Sequence, residues 1–291
     1  MLITTHTEMA NCSLGLKEKI KLIKDSGFDA YDISLFKSSK EDELLLSAPD
    51  YIENAKEIRR YADEIGIACS QSHAPMPSSV GDDESDEEIF KKLVQSMEVA
   101  SILGAKIIVI HPKQHLCYAE NAEKLFEMNV EFYNRLIPYA KKFGIKIAAE
   151  NMWQKNNGAK VPCDSVCSRA WEFNKLIDTV NSEWLVGCLD IGHVSLMGAD
   201  IPKFIHAMGN ERLLALHIHD TDFVHDLHTA PFTNKIDYKA VAKALGKIDY
   251  KGNITFEALN FFKNLPEELY LSASRYLCDI GKYLAAEIEK H

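Results

Sequence analysis

The sequence predicts an α/β fold, built as a single-domain (β/α)8 TIM barrel over residues 1–291, from three observations. Short apolar or β-branched runs recur eight times, and a longer stretch with helical periodicity follows each of them. The length of 291 residues divided among eight units gives about 36 residues each, which is the size of a βα unit. The runs are nearly continuous in apolar character, which is typical of strands in a parallel sheet covered by helices.

The eight predicted strands are residues 2–7, 30–36, 67–73, 106–112, 146–151, 185–191, 214–220 and 253–258. Among the helices between them, DYIENAKEIRRYADEIG carries apolar residues at steps of three and four and ends at Gly66. The next two helices end at Gly104 and Gly144. The C-terminal stretch PEELYLSASRYLCDIGKYLAAEIEK is amphipathic and is predicted to close the barrel. The alternative is a doubly wound sheet, which is expected to carry a glycine-rich turn after an early strand. The segment that follows the first strand, NCSLGLKE, is not such a turn.

Composition and charge exclude several classes of protein. The hydrophobic content of 46% and the charged content of 26% are ordinary for a globular protein, and no apolar run approaches the ~20 residues of a membrane helix. The net charge of −10 offers no basic surface for nucleic acid. The acidic segment GDDESDEE, residues 81–88, is predicted to be a solvated loop and the first turn of a helix. Seven scattered cysteines and an N-terminus without a secretory signal predict reduced thiols and a cytoplasmic location.

Side chains that bind metals end six successive predicted strands. In a (β/α)8 barrel the chemistry lies at the carboxyl ends of the strands, so these side chains share one rim. They are His73, His111, Glu150, Asp190, His217 and Glu257, on strands three to eight. Their mixture of imidazole and carboxylate suits Zn²⁺ or Mn²⁺ better than Ca²⁺. Glu150 and Glu257 interrupt apolar strands, where a charge is costly unless it coordinates a metal or is ion-paired, and both interpretations stay open.

The stretch LHIHDTDFVHDLHTAP, residues 216–231, carries four histidines within twelve residues. Asp226 and His228 are spaced Asp-x-His, which puts both side chains on one face of an extended segment. With His193 they predict a separate site of nitrogen and oxygen ligands, or else a polar loop that contacts water. His219 is predicted to contact a ligand residue or to lie in the core, and His225 to contact water.

These residues resemble those of the superfamily that contains xylose isomerase, ketose 3-epimerases, inosose isomerases and dehydratases, and endonuclease IV. The resemblance covers nearly the whole chain, with LDIGH and HIHD matching two family segments. The family's Glu–Asp–His–Glu metal site is matched by Glu150, Asp190, His217 and Glu257. The resemblance to endonuclease IV implies three zinc ions on nine side chains, which adds His73, His111, His193, Asp226 and His228. The implied cofactor is one to three divalent ions, zinc or manganese.

The chain departs from the family pattern in two places. Ketose 3-epimerases carry an arginine six residues beyond the metal-binding histidine, where this chain has Phe223, which argues against ketose epimerisation specifically. Endonuclease IV acts on abasic DNA, whereas the acidic loop after strand three would repel a phosphate backbone here. Three divalent ions would outweigh the ligand carboxylates, so a single phosphate could still be attracted to the mouth.

Two reactions fit such a site. The first is isomerisation or epimerisation of a small sugar, polyol or sugar phosphate through a metal-stabilised enediolate, and the resemblance to the epimerases implies Glu150 and Glu257 as the acid/base pair. His193 would orient a substrate hydroxyl or phosphate, Lys113 would contact an anionic group or be solvated, and Trp153 would pack on a sugar face or be structural. The second reaction is phosphoester hydrolysis, of abasic DNA or a smaller ester, by a hydroxide between two metals.

The expected partner is a small sugar or phosphorylated substrate; nucleic acid is disfavoured without being excluded, and no membrane contact is expected. A metal-binding module without enzymatic activity is a third class, although open metal positions in a barrel mouth usually serve chemistry.

The segment ENMWQKNNGAKVPCDSVCSRAW after strand five is predicted to be a long loop that could cover substrate. Cys163 and Cys167 within it are interpreted as incidental rather than as half of a metal site. The sequence carries no information on oligomeric state.

Overall fold

The structure is a computed structural model that describes residues 1–9, 12–36, 40–156 and 158–291, apart from the side chain of Asp42. Within these ranges, eight parallel strands form the barrel that the sequence predicts. In chain order they are β1 (Ile3–His6), β2 (Ala30–Ser34), β3 (Ala68–His73), β4 (Ile107–Val109), β5 (Lys146–Glu150), β6 (Leu185–Asp190), β7 (Leu213–His217) and β8 (Ile254–Phe256). Each strand from β1 to β6 pairs with the next, and β8 pairs with β1.

The barrel closes between β7 and β8, just beyond the last residue of β7. Ile218 donates its backbone N–H to the carbonyl of Thr255 (2.9 Å), and Glu257 donates its N–H to the carbonyl of Ile218 (3.1 Å). Ile218 and Phe256 form a parallel bridge. Closure brings the carboxyl ends of all eight strands to one rim, so residues far apart in the sequence face a common mouth.

Eight helices in the described ranges alternate with the strands as predicted. They are α1 (Leu16–Ser26), α2 (Tyr51–Ile65), α3 (Asp83–Leu103), α4 (Tyr118–Phe143), α5 (Ala170–Val180), α6 (Ile201–Arg212), α7 (Tyr238–Lys247) and α8 (Tyr270–Ile288). Gly66, Gly104 and Gly144 end α2, α3 and α4 in the left-handed conformation, where glycine has no Cβ to clash. Asp82 caps α3 by accepting the N–H of Ser85 (2.9 Å), so the acidic segment does form a first turn.

Short elements lie at and beyond the rim. A short helix, Ile191–Leu196, begins directly after β6. Other short helices are Lys40–Asp42, the π-helical Glu43–Ser47, and the 3-10 helices Leu259–Phe262 and Glu267–Leu269. The predicted long loop after β5 instead contains an antiparallel hairpin, formed by strands Trp153–Lys155 and Pro162–Asp164. Gln154 anchors this hairpin, because its amide donates to the carbonyls of Gln114 (2.9 Å) and Leu116 (2.7 Å) in the loop after β4.

The apolar core has two layers, and the inner one is made of small side chains. Large side chains such as Phe173 and Phe256 are fully buried in the outer layer. The inner layer consists of Val109, Ala148, Val186, Cys188 and Ala215. Gly281 of α8 lies so close to Ile3 and Phe256 that a Cβ would overlap both, so the C-terminal helix covers β1 and β8 as predicted. Small interior side chains leave space at the mouth for the polar residues above them.

Several predicted strands are longer than the observed ones. The sequence predicts strand four over 106–112, whereas β4 ends at Val109, so His111 lies two residues beyond the strand. Strand seven is predicted over 214–220, whereas β7 ends at His217. One residue beyond each end still bonds to the neighbouring strand, because Ile110 donates its N–H to the carbonyl of Ala148 (3.0 Å) and Ile218 donates its N–H to that of Thr255 (2.9 Å). None of the helices in the described ranges is long and apolar enough to cross a bilayer.

Candidate metal centre

The nine predicted metal ligands lie at the carboxyl rim of the barrel, in two adjoining clusters. The inner cluster consists of His73, His111, Glu150, His217 and Glu257. The outer cluster consists of His193, Asp226 and His228, to which the structure adds His219. Asp190 joins the two, because it pairs in register with His217 and its carboxylate lies 3.1 Å from His219 Nε2.

Glu150, the last residue of β5, is the centre of the inner cluster. Its Oε2 lies 3.2 Å from His111 Nε2, 3.2 Å from His217 Nδ1 and 3.7 Å from His73 Nε2. His217 Nδ1 also lies 3.2 Å from Glu257 Oε2. The Nε2 atoms of His73 and His111 are 3.1 Å apart. These side chains come from different strand ends, so the barrel itself determines their spacing.

The outer cluster forms where the short helix after β6 meets the loop after β7. Asp226 Oδ2 lies 3.1 Å from His228 Nε2 and 3.5 Å from His193 Nε2. Asp226 Oδ1 lies 3.7 Å from His219 Nε2. Trp153 Nε1 donates a hydrogen bond to Asp226 Oδ2 (3.2 Å), so the hairpin reaches this cluster too. Trp153, predicted as a substrate contact, therefore touches a predicted metal ligand.

Backbone carbonyls orient three of the histidines. The contacts are His73 Nδ1 to Ala74 O (2.8 Å), His193 Nδ1 to Asn151 O (2.8 Å) and His228 Nδ1 to Glu257 O (3.0 Å). A carbonyl oxygen only accepts, so Nδ1 carries the hydrogen and the Nε2 lone pair of the neutral ring points into the cluster. Imidazoles that bind metals are usually held in this way.

Buried polar atoms without partners indicate that both clusters suit a cation. Among the described residues, no hydrogen bond is made by Glu150 Oε2, by either ring nitrogen of His217 or by Asp226 Oδ1. Leaving a buried polar group unpaired costs about 1–3 kcal/mol, and more for a charged one. Carboxylate and imidazole are ligands of Zn²⁺ and Mn²⁺. The residues of both clusters therefore fit divalent ions.

The carboxylates and imidazoles also shift one another's protonation. Burial raises the pKa of the Glu150 carboxyl, but the His217 ring beside it holds that pKa well below its usual range. Burial lowers the pKa of His228, yet the carboxylates of Glu257 and Asp226 outweigh burial and raise it to about 9. At neutral pH the Glu150 carboxylate is thus ionised, and a metal ion would compete with a proton for His228.

Asp190 and its neighbours build the junction of the two clusters. Asp190 ends β6 and caps the following short helix, because its Oδ1 accepts the N–H of His193 (2.6 Å). The side chain of Asn151 accepts the N–H of Asp190 (2.7 Å) and donates to its carbonyl (3.0 Å). A Cβ at Gly192 would overlap the ring of His219, so only glycine fits there. Sequence reasoning missed Asn151 and Gly192, whose roles depend on contacts between strands.

Two ligand-type residues on the first strands also escaped prediction. His6 ends β1; its Nε2 lies 3.4 Å from Asp32 Oδ2, and its Nδ1 lies 3.8 Å from Glu257 Oε1. Gln71 donates to Asp32 Oδ2 (2.8 Å). The rule that identified His73 could have found His6, because the predicted strand LITTHT also carries a histidine near its end.

Lys113 lies against the acidic segment. Its Nζ lies 3.4 Å from Asp86 Oδ2 and 5.6 Å from the centre of the Phe132 ring. Asp86 also accepts the N–H groups of Val80 (2.7 Å) and Gly81 (3.3 Å). Asp86 thus belongs to the predicted acidic first turn of α3, and its carboxylate also holds the turn before that helix. His225, by contrast, is exposed as predicted.

Comparison with known proteins identifies the fold. The family model described as "Xylose isomerase-like TIM barrel" matches residues 20–279. A curated relative from Sinorhizobium fredii, named only as an uncharacterized protein, is 26% identical over 60% of this chain and 53% of its own length. A probable endonuclease 4 from Shouchella clausii is 29% identical over 54% of each chain, so this chain spans about half the length of both relatives. The crystal structure of a 3-keto-D-glucoside 4-epimerase from Escherichia coli has a TM-score of 0.74 at 18% identity, covering 95% of this chain and 98% of that one.

Proposed function

Because this chain belongs to the xylose isomerase-like TIM barrel family, we propose that it is a metal-dependent isomerase or epimerase of a small sugar, polyol or sugar phosphate. The position of Glu150 and Glu257 about His217 carries the proposal. Each glutamate directs one carboxylate oxygen to within 3.2 Å of His217 Nδ1. Two carboxylates placed in this way surround one ion position, and each keeps a second oxygen for proton transfer.

The principal ion would be held by Glu150, Asp190, His217 and Glu257. Glu150 Oε2 and the ring nitrogens of His217 are buried and make no well-aligned hydrogen bond within the described part of the chain, which supports this assignment. When bound, a divalent ion would supply Lewis acidity at the carbonyl and the neighbouring hydroxyl of the substrate.

The two glutamates would divide the proton transfers. Glu150 would take the proton from the carbon beside the carbonyl, and the electron pair of that C–H bond would move toward the carbonyl oxygen to form an enediolate. Glu257, protonated in the substrate complex, would return a proton to the opposite face of the same carbon in an epimerisation. In an isomerisation it would protonate the former carbonyl carbon, and the proton of the neighbouring hydroxyl would pass to the former carbonyl oxygen, so that the neighbouring carbon becomes the new carbonyl. Exchange with solvent would then reset both carboxyl groups.

Two histidines contact the second oxygens of these glutamates. His193 Nδ1 lies 3.4 Å from Glu150 Oε1, and His6 Nδ1 lies 3.8 Å from Glu257 Oε1. We assign both as positioning residues for the acid/base pair. The Nε2 of His193 faces Asp226 at 3.5 Å, which favours a role as an outer ligand over direct contact with substrate.

The fold similarity to a sugar epimerase supports the class of substrate. Phe223 takes the place of the ketose 3-epimerase arginine, so we expect a substrate other than those of the ketose 3-epimerases. Lys113 stays a prediction as a contact for an anionic group, because its ion pair with Asp86 already offsets its charge.

Deuterium exchange tests this proposal directly. The protein, loaded with Mn²⁺ or Zn²⁺, is incubated in D2O with a panel of ketoses, inososes and their phosphates, and NMR detects deuterium at the carbon beside the carbonyl. We expect exchange with at least one member, and exchange at least about 10²-fold slower with Glu150→Gln. Glu172→Gln is the matched control, because Glu172 is a buried carboxylate that accepts the Cys167 N–H (2.8 Å) outside both clusters. No exchange by fully loaded protein across the panel would contradict the proposal.

Phosphoester hydrolysis is the second candidate. It is favoured by two further groups of ligand-type residues, His73–His111–Glu150, which shares Glu150 with the principal site, and His193–His219–Asp226–His228. The similarity to a probable endonuclease 4 supports it as well. Acidic residues at the start of α3 weigh against DNA as the substrate. Cleavage of an oligonucleotide with one abasic site, or of a small phosphodiester, in the absence of deuterium exchange would favour this candidate.

A further inference from the structure

We propose that His219 is a fourth protein ligand of the outer cluster, which makes that cluster a closed, structural metal site. The resemblance to endonuclease IV supplies only three ligands there, His193, Asp226 and His228. Four protein ligands complete the tetrahedral shell of a structural zinc site, whereas a catalytic site keeps one position open. The inference concerns metal binding alone and goes beyond the proposed function, since it holds for either reaction at the inner cluster.

The spacing of the four side chains matches a single tetrahedral ion. Ligand atoms about 2.0–2.1 Å from zinc lie about 3.3–3.4 Å apart in a tetrahedron. Asp226 Oδ2 lies 3.1 Å from His228 Nε2 and 3.5 Å from His193 Nε2, and Asp226 Oδ1 lies 3.7 Å from His219 Nε2. One ligand atom from each of the four lies within 4.8 Å of all the others.

Burial of His219 supports a ligand role. The side chain is fully buried, so water does not reach its ring nitrogens. Its ring stacks on His228, with centroids 4.0 Å apart and an angle of 14° between the planes.

The competing interpretation is that His219 only positions Asp190. Its Nε2 lies 3.1 Å from each oxygen of that carboxylate. This interpretation assigns no role to the approach of the same Nε2 to Asp226 Oδ1, which lies 3.7 Å away. The competing interpretation also predicts that a different ion is lost. Removing His219 would then weaken binding of the inner ion, because Asp190 would no longer be held in position.

The backbone of the loop after β7 is consistent with ligation. His228 has φ 43° and Phe223 has φ 70°, in the left-handed region that non-glycine residues seldom adopt. Such conformations persist where the surroundings hold them. An ion that joins His228 to His193 would hold this loop against the short helix after β6, and Trp153 would tie the hairpin to the same point.

Cobalt substitution tests the proposal without reference to activity. Wild-type protein, His219→Ala, His219→Gln, Asp226→Asn, Asp190→Asn and His225→Ala are loaded with Co²⁺, and elemental analysis counts the metal per chain. Four-coordinate Co²⁺ gives intense visible bands that higher-coordinate ions lack. We expect His219→Ala and Asp226→Asn each to lose one ion and these bands. The affinity for that ion should fall by more than the about 10–100-fold typical of a lost partner to a ligand. His225→Ala, an exposed residue of the same loop, should match the wild type.

Three outcomes would overturn the proposal. In the first, His219→Ala keeps the cobalt content and visible bands of the wild type. In the second, it loses the same ion as Asp190→Asn. In the third, the wild type itself lacks the intense bands. His219→Gln guards against misfolding, because glutamine can still hydrogen-bond to Asp190 but is a poor ligand. It should retain the circular dichroism of the wild type and lose only the outer ion. Absence of deuterium exchange would refute the proposed function and leave this result untouched.

Discussion

The inner and outer clusters use the same residue types on different supports. His73, Glu150 and His217 are the last residues of barrel strands, each with a strand on both sides. Asp226 and His228 lie in the loop after β7, outside any helix or strand. Hydrogen bonds between strands hold the inner side chains whether or not an ion is bound. The outer cluster depends on its own contacts and, in our account, on its ion.

This difference assigns chemistry to one cluster and structural support to the other. Sites built on strands hold their groups more precisely than sites built on loops, and proton transfer needs that precision. An ion with four protein ligands in the outer cluster would instead hold the loop after β7 in place beside the barrel mouth. Changes to the inner cluster should therefore abolish reaction, and changes to the outer cluster should loosen the loop.

Glu150→Gln should have the largest effect, because it removes both the proton acceptor and the residue that contacts three inner histidines. We expect deuterium exchange to fall by about 10²–10⁴-fold from loss of the base alone, and further as the inner ion is lost. Exchange rates and metal content measure the two effects separately. Retained exchange at the wild-type rate would remove Glu150 from the mechanism.

Gly192→Ala should break the outer cluster selectively, because its Cβ would overlap the ring of His219. We expect a loss of about 1–3 kcal/mol in the free energy of unfolding and loss of the outer ion, with the inner ion retained. Urea denaturation and cobalt content measure these quantities. Gly158→Ala is the control, because a Cβ there reaches only Asn156 Oδ1 at 3.4 Å. Equal loss of both ions in Gly192→Ala would mean that the clusters are not independent.

Trp153→Phe should weaken the outer cluster more mildly. It removes the hydrogen bond from Nε1 to Asp226 Oδ2 (3.2 Å) and keeps an aromatic ring. We expect affinity for the outer ion to fall about tenfold, as for other partners of metal ligands. Competition with a chelator measures it, and Trp171→Phe is the control because Trp171 is exposed. An unchanged affinity would show that this hydrogen bond does not orient Asp226.

Lys113→Met should have the smallest effect. Its ion pair with Asp86 (3.4 Å) is partly exposed, and such pairs contribute about 0–1 kcal/mol. We expect little change in stability and none in exchange with uncharged substrates. Lys91→Met, which removes the exposed pair with Glu88, is the control. A rise in KM confined to phosphorylated substrates would show that Lys113 binds the phosphate.

The inner cluster was easier to predict than the outer one for a physical reason. A strand end is a local property, so a buried run that ends in His73 or Glu150 predicts where that side chain lies. His219 and Gly192 meet only because the loop after β7 folds over the short helix after β6. No local pattern encodes that contact.

The hairpin after β5 was missed for a related reason. Its strands, Trp153–Lys155 and Pro162–Asp164, are three residues long, which is too short to show an alternating pattern. Hydrogen bonds from Gln154 to the loop after β4 hold it, and these join residues about 40 positions apart in the sequence. The position of Trp153 beside Asp226 follows from that anchoring.

Anomalous diffraction at the metal absorption edge, from crystals of protein purified without added metal or chelator, tests the central claim most directly. We predict one peak bounded by Glu150, His217 and Glu257 and a second bounded by His193, His219, Asp226 and His228. A third peak near His73 and His111 would add the remaining site implied by the resemblance to endonuclease IV. Density for neither of the first two, including after soaking in Zn²⁺ or Mn²⁺, would mean that these clusters are proton-bridged networks and would contradict the account.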